Sequence, residues 1–141
     1  YLSAAAMILF FNILCVVWEA AGFALAGEMP PGKSLALFHG AQLLMQLEVG
    51  SVCFLLSSVC KRKQTGAALG FAVLLYVMDL MCRIVPDIED LKYVTPYYFS
   101  NATDIFAGGR VDGSMAAVSA AVAVISFGAA IVIYGRRDLA A

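Results

Sequence analysis

The sequence predicts an all-α fold: a polytopic membrane bundle of four transmembrane helices, with short interfacial or re-entrant helices in one connection. Three observations carry this. The chain of 141 residues is 62% hydrophobic and only 13% charged, roughly half the charge of an ordinary soluble domain. Its mean hydropathy is +0.88, and a chain this short leaves too much area exposed to keep such a composition from water. Its apolar residues also fall into four long runs, and a helix crosses a bilayer with about 20 such residues. These features exclude an ordinary soluble enzyme, a disordered tail and a disulfide scaffold. Nine basic and ten acidic residues nearly cancel, so nothing points to nucleic acid.

The first span runs from Leu2 to Ala26 and is interrupted by Asn12 and Glu19. The second is expected from about Ser34 to Cys60, the third from about Thr65 to Val85, and the fourth from about Gly113 to Tyr134. All are too long for buried strands, so helix wins on length. Residues 1–141 are expected to form a single transmembrane domain. The chain opens at Tyr1 inside an apolar run, without the basic start of a signal peptide, and is expected to be a piece of a longer protein. The cysteines Cys15, Cys53, Cys60 and Cys82 form no C-x-x-C pair and read as small buried hydrophobes.

Charge orients the bundle. Lys61, Arg62 and Lys63 fill the short second connector, and Arg136 and Arg137 follow the last span. The other side carries Lys33, Lys92 and Arg110 among Glu28, Asp87, Glu89, Asp90, Asp104 and Asp112. Basic residues concentrate in cytoplasmic loops. The tight turn and the C-terminus are therefore expected in the cytoplasm, and the 27-residue connection Pro86–Asp112 outside. In that connection, Asp87 and Asp90 are candidate caps for a short helix through Tyr93, which Pro96 would stop from continuing. Ser100 is a candidate cap for a second, ending at Gly108-Gly109. Tyr93, Tyr97, Tyr98, Phe99 and Phe106 gather here. They fit either an interfacial aromatic belt or partly re-entrant helices covering the bundle's end.

Gly27 to Ser34 matches the phosphate-loop spacing G-x-x-x-x-G-K-S letter for letter. A phosphate loop needs a strand before it and converging backbone N–H groups. A membrane span precedes this one, and Pro30 and Pro31 remove two donors, so the match is read as accidental. No Ser/His/Asp set, metal-ligand cluster or haem motif is present, and nothing argues for an enzyme.

Ionisable groups in lipid need a partner or a wet cavity. Asp79 and Arg83 lie four apart on the third span, the spacing of an intrahelical ion pair. On the second span, His39, Gln42, Gln46, Gly50, Cys53 and Ser57 fall within an arc of roughly 80°, and Glu48 points to the opposite side. Neither face suits lipid, so this helix is expected to be enclosed. Its polar stripe either lines a passage or makes hydrogen bonds that hold the bundle together. Glu19, beside Trp18, stands as the remaining lone acid, with Asn12 two turns away. Gly66-x-x-x-Gly70 opens the third span, and Ala116, Ser119, Ala120, Ala123 and Ser126 run down the fourth, a pattern that permits close helix approach.

The order of features resembles one family. The second span ends Leu55-Leu-Ser-Ser-Val-Cys-Lys-Arg-Lys, and Gly66-Ala-Ala-Leu-Gly opens the next. Val85-Pro-Asp-Ile-Glu-Asp-Leu-Lys-Tyr-Val-Thr-Pro-Tyr-Tyr-Phe, a small-residue span and Tyr134-Gly-Arg-Arg-Asp-Leu follow. This is similar to the C-terminal two-thirds of a type-two permease of ATP-binding-cassette (ABC) exporters. The resemblance implies the last four spans of a six-span permease in a plasma membrane, of prokaryotic type, with the first two spans and the segment that touches the ATPase absent here. It further implies a second permease subunit and a separate ATPase subunit that binds the ATP, with no catalytic residue or cofactor on this chain. An amphiphilic substrate would suit the apolar bundle. Two other readings stay open: an ion-coupled carrier of the small multidrug type, with Glu19 as the proton-binding group, and a non-transporting membrane scaffold.

Overall fold

The computed structural model describes residues 2–29, 31–59 and 65–138. The basic turn Lys61–Gln64, with Cys60, lies outside the described residues, and so do the side chains of Glu89, Asp90 and Arg137. Five α-helices are described: α1 (Leu2–Ala26), α2 (Gly32–Val59), α3 (Thr65–Ile84), α4 (Ala102–Gly108) and α5 (Gly113–Asp138), with a 3-10 segment (Pro86–Tyr93) between α3 and α4. No strand occurs among the described residues. Helices α1, α2, α3 and α5 are each long and apolar enough to cross a membrane, and the protein is an all-α multi-pass bundle.

Local chemistry sets the boundaries. Helix α1 stops where Gly27 takes φ +70°. The Gly27 and Glu28 amides donate back to the Ala24 and Phe23 carbonyls at 3.3 and 3.0 Å. This is the paired closure that favours glycine just past a helix end. The phosphate-loop look-alike is thus the turn between two helices. Helix α2 begins at Gly32, two residues before the expected start, and α5 continues one turn past Tyr134 to Asp138. A helix needs backbone hydrogen bonds rather than hydropathy, so it can outrun its apolar stretch. Asp112 starts α5: its carboxylate accepts from the Ser114 and Met115 amides at 2.9 and 3.3 Å and from the Ser114 hydroxyl at 2.6 Å.

Two expected caps are corrected. The 3-10 segment starts at Val85 with no side-chain cap, and it kinks at Ile88. Asp87 therefore does not cap it. Helix α4 is capped by Asn101, not Ser100. The Asn101 side chain accepts from the Thr103 amide at 2.8 Å, while the Ser100 hydroxyl turns back to the Pro96 and Tyr97 carbonyls. Either residue type suits a cap, and here the burial of Ser100 decides. The helix does end at Gly109, in the left-handed region at φ +62°.

Helix α2 is the centre. It runs parallel to α5, which carries Ser119, Ser126 and Ala130 buried along its small-residue side. Phe54 stacks on Tyr134 and tilts against Phe127, each at 6.2 Å. Close packing of small side chains holds such a pair where water supplies no driving force. The Gly66-x-x-x-Gly70 pair departs from this: a methyl group added at either position meets nothing within 4 Å. That spacing does not mark a close approach among the described helices. Cys82 is buried, whereas Cys15 is exposed on α1.

The core contains a loop. Ala41 and Met45 of α2 and Met115 of α5 pack with Phe99 and Ile105, and Tyr97 and Tyr98 lean on them. Thr95, Pro96 and Ser100 are buried too. Of the aromatic cluster only Tyr93 and Phe106 are exposed. The residues 95–100 therefore form a plug that dips between the helices, not a belt around them.

Candidate functional site

The site is the polar surface of α2 and what each helix offers it. Toward α1 the contacts form an antiparallel ladder. Gly50 faces Ile8, whose Cδ1 would lie 3.7 Å from an added Cβ. Four residues on, Asn12 donates from Nδ2 to the Gln46 side-chain oxygen at 2.6 Å. Seven further, Glu19 Oε2 and His39 Nε2 lie 3.0 Å apart. Steps of four and seven return to one helical face, so α1 presents Ile8, Asn12 and Glu19 on a single stripe. Glu19 is therefore not a lone acid: His39 of α2 is its partner.

The same stripe of α2 reaches the plug and α3. Gln42 donates to the Ser100 carbonyl at 3.3 Å. The Cys53 thiol points to the Ala68 carbonyl at 3.9 Å. Ser57 is exposed and takes no part, while its neighbour Ser58 is buried and bonds the Leu55 carbonyl of its own helix.

Glu48 lies on the opposite side. It is 8% exposed, and the Ser119 hydroxyl of α5 donates to its Oε2 at 2.5 Å. Thr95, Phe99, Met115 and Lys92 line the small space beside this carboxylate. The enclosed character of α2 thus has two sources: amide and imidazole groups toward α1, and a carboxylate–hydroxyl bond toward α5.

A separate cluster closes the loop end of α3. Arg83 grips Asp79 with two hydrogen bonds, Nε to Oδ2 at 3.0 Å and Nη2 to Oδ1 at 3.2 Å. Its other donors reach Asp104 of α4 at 3.1 Å and the Tyr98 carbonyl at 3.1 Å, and its guanidinium lies 4.6 Å from the centre of the Tyr98 ring. Arginine's fixed fork suits this multiple capture. The intrahelical pair is one part of a four-sided clamp that ties the plug and α4 to α3.

Sequence reasoning did not find the partners Asn12, Ser119, Ser100 and Asp104. Asn12 carried a usable signal: the seven-residue interval to Glu19 equals that between His39 and Gln46, as an antiparallel pair requires. Ser119 carried none, because a packing serine and a hydrogen-bonding one look alike in a small-residue stripe. Among the described residues no group of three or more His, Cys, Asp or Glu side chains could hold a metal ion. Compared with family models, with characterised proteins and with solved structures, the chain matches none.

Proposed function

We propose that the chain is the membrane-spanning permease part of an ABC-type exporter, which forms the substrate path while a separate ATPase subunit supplies the energy. What supports the reading is the order of sequence segments, and above all the buried plug. Thr95-Pro96-Tyr97-Tyr98-Phe99 belongs to one of the segments on which the resemblance rests, and it is packed against α2 and α5 rather than left at the surface. A second permease subunit completes the path. The tight turn and the C-terminus face the cytoplasm, in keeping with the basic residues there, and the plug end faces outward.

One observation favours a second reading. The Glu19–His39 pair is a carboxylate and an imidazole 3.0 Å apart on two membrane-spanning helices, the kind of pair that can hold and pass a proton. A proton-coupled carrier would use it in every cycle. Vesicles holding the full-length protein with its ATPase separate the two readings when transport is driven first by ATP alone and then by a pH gradient alone. The exporter reading expects ATP-driven transport that survives Glu19→Gln. Gradient-driven transport without ATP, abolished by Glu19→Gln, would replace it with the carrier.

A further inference from the structure

A groove of about 540 Å³ opens between α1 and α2, lined by Met7, Ile8 and Phe11, by Met45, Gln46 and Val49, and at its floor by Gly50 and Tyr97 of the plug. Its size is in the range of small-molecule sites, and its makeup follows the rule of an apolar wall with few polar groups. The polar groups decide what it takes. Asn12 Nδ2 also donates to the Ile8 carbonyl at 2.9 Å. A carbonyl only accepts, so the Asn12 amide is fixed with its NH2 toward Gln46, and Gln46 must answer with its oxygen. The Gln46 NH2 is then left pointing elsewhere. It has no acceptor among the described residues, and among them no buried side-chain nitrogen or oxygen lacks a partner, so this NH2 is accessible, on a residue that lines the groove. The Tyr97 hydroxyl donates no hydrogen bond among the described residues and lines the same groove.

At half the height of two membrane helices, an unmet donor is costly. Lipid chains fill the groove's apolar wall but offer these donors nothing. We propose that the groove binds an uncharged single-chain amphiphile drawn from the bilayer. Its oxygen acceptor, an ester or alcohol, takes hydrogen bonds from Gln46 and Tyr97, and its chain lies along Ile8, Phe11 and Val49. A neutral head fits because both donors are neutral and the groove lining holds no charged side chain. Gly50 keeps the floor clear: a side chain larger than methyl would fill the space toward Ile8. This site does not depend on the exporter reading, since binding needs neither nucleotide nor transport.

The test uses the full-length protein in nanodiscs and three photoactivatable probes with the same alkyl chain: a monoacylglycerol, a plain hydrocarbon and a trimethylammonium amphiphile. The monoacylglycerol is expected to label residues 7–11 and 45–50, with competition by its unlabelled form. Losing the head-group bonds in Gln46→Leu should lower that labelling about tenfold, the effect of 1.4 kcal/mol. Asn12→Leu combined with Gln46→Leu should do the same without stranding the Asn12 amide. Gly50→Leu should abolish labelling, whereas Gly50→Ala, whose methyl makes only ordinary contact with Ile8, should keep it and report that the helix pair is intact. Equal labelling by the hydrocarbon would reduce the groove to an ordinary lipid-facing crevice. Stronger labelling by the cationic probe, or unchanged labelling in the Gln46→Leu and Gly50→Leu proteins, would overturn the proposal as well.

Discussion

Asn12 and Gln46 join α1 to α2 through one hydrogen bond of 2.6 Å, and Asn12 is the buried residue of a helix that is otherwise exposed or half-buried. Helix α1 is therefore attached at points rather than along a face. Between helices in a membrane such a bond contributes about 0.6–2 kcal/mol. A double-mutant cycle of Asn12→Leu and Gln46→Leu, read by reversible unfolding in bicelles, should give a coupling of about 1 kcal/mol. Additive effects would mean that the pair does not hold the helices.

Ser119→Ala should be among the more damaging small substitutions. It leaves the Glu48 carboxylate without the hydroxyl that solvates it, and a hydrogen bond to a charged group is worth about 1.5–3 kcal/mol. Lower yield of folded protein and a lower thermal midpoint are expected. Glu48→Gln should restore part of the loss when combined with Ser119→Ala, because the neutral amide is less costly to leave unpaired. If the double variant is no better than Ser119→Ala alone, the bond is not what Ser119 contributes.

Arg83→Ala should free the plug. Asp79 is then buried without its cation, a loss of about 3 kcal/mol or more, and both the Tyr98 carbonyl and Asp104 lose their donor. Hydrogen exchange of the amides in 95–108 should rise well above that of α5. Arg83→Lys is expected to rescue little, since one ammonium cannot reproduce the bidentate grip. Unchanged protection of this segment would show that the core residues hold it unaided.

Asp112 gives a pH dependence with a definite sign. Its pKa is lowered by the Ser114 hydroxyl first, then by the Met115 and Ser114 amides. A lowered folded pKa means that its stabilisation is present above the ordinary carboxylate value and is lost as pH falls through the lowered one. The first turn of α5 should therefore open only in acid, seen as faster exchange of the Ser114 and Met115 amides. In Asp112→Asn the amide can still cap the helix, and this acid step should vanish. Persistence of the step would assign it to another group.

The proposed orientation has a direct check. Single cysteines at Gln64 and Asn101, in a cysteine-free full-length protein, are probed with an impermeant thiol reagent in intact cells. Labelling at 101 and protection at 64 are expected from the basic turn. The reverse pattern would invert the bundle.

The four spans were legible in the sequence because hydropathy and length act on whole segments, and a one-turn error at the start of α2 or the end of α5 changes neither. The Asp79–Arg83 pair was legible because both partners share one helix. The ladder between α1 and α2 was not, since which glutamine faces which asparagine depends on helix register, and composition is silent on register. The plug was ambiguous for a different reason: tyrosine and phenylalanine suit a membrane interface and a packed core equally well. Gly66 and Gly70 meet no neighbour among the described residues, since small residues permit a close approach without causing one.

The burial of the plug has a consequence for biogenesis. Its neighbours Met45 and Met115 belong to helices separated in the chain by the whole of α3 and the plug itself. Each helix can enter the bilayer alone, but this centre cannot close until α5 has arrived. Assembly is therefore a late, non-local step, with the loop-closure cost that such contacts carry. A nascent chain halted before α5 would hold inserted helices around an unfilled middle, and quality-control proteases of the membrane would meet it in that state.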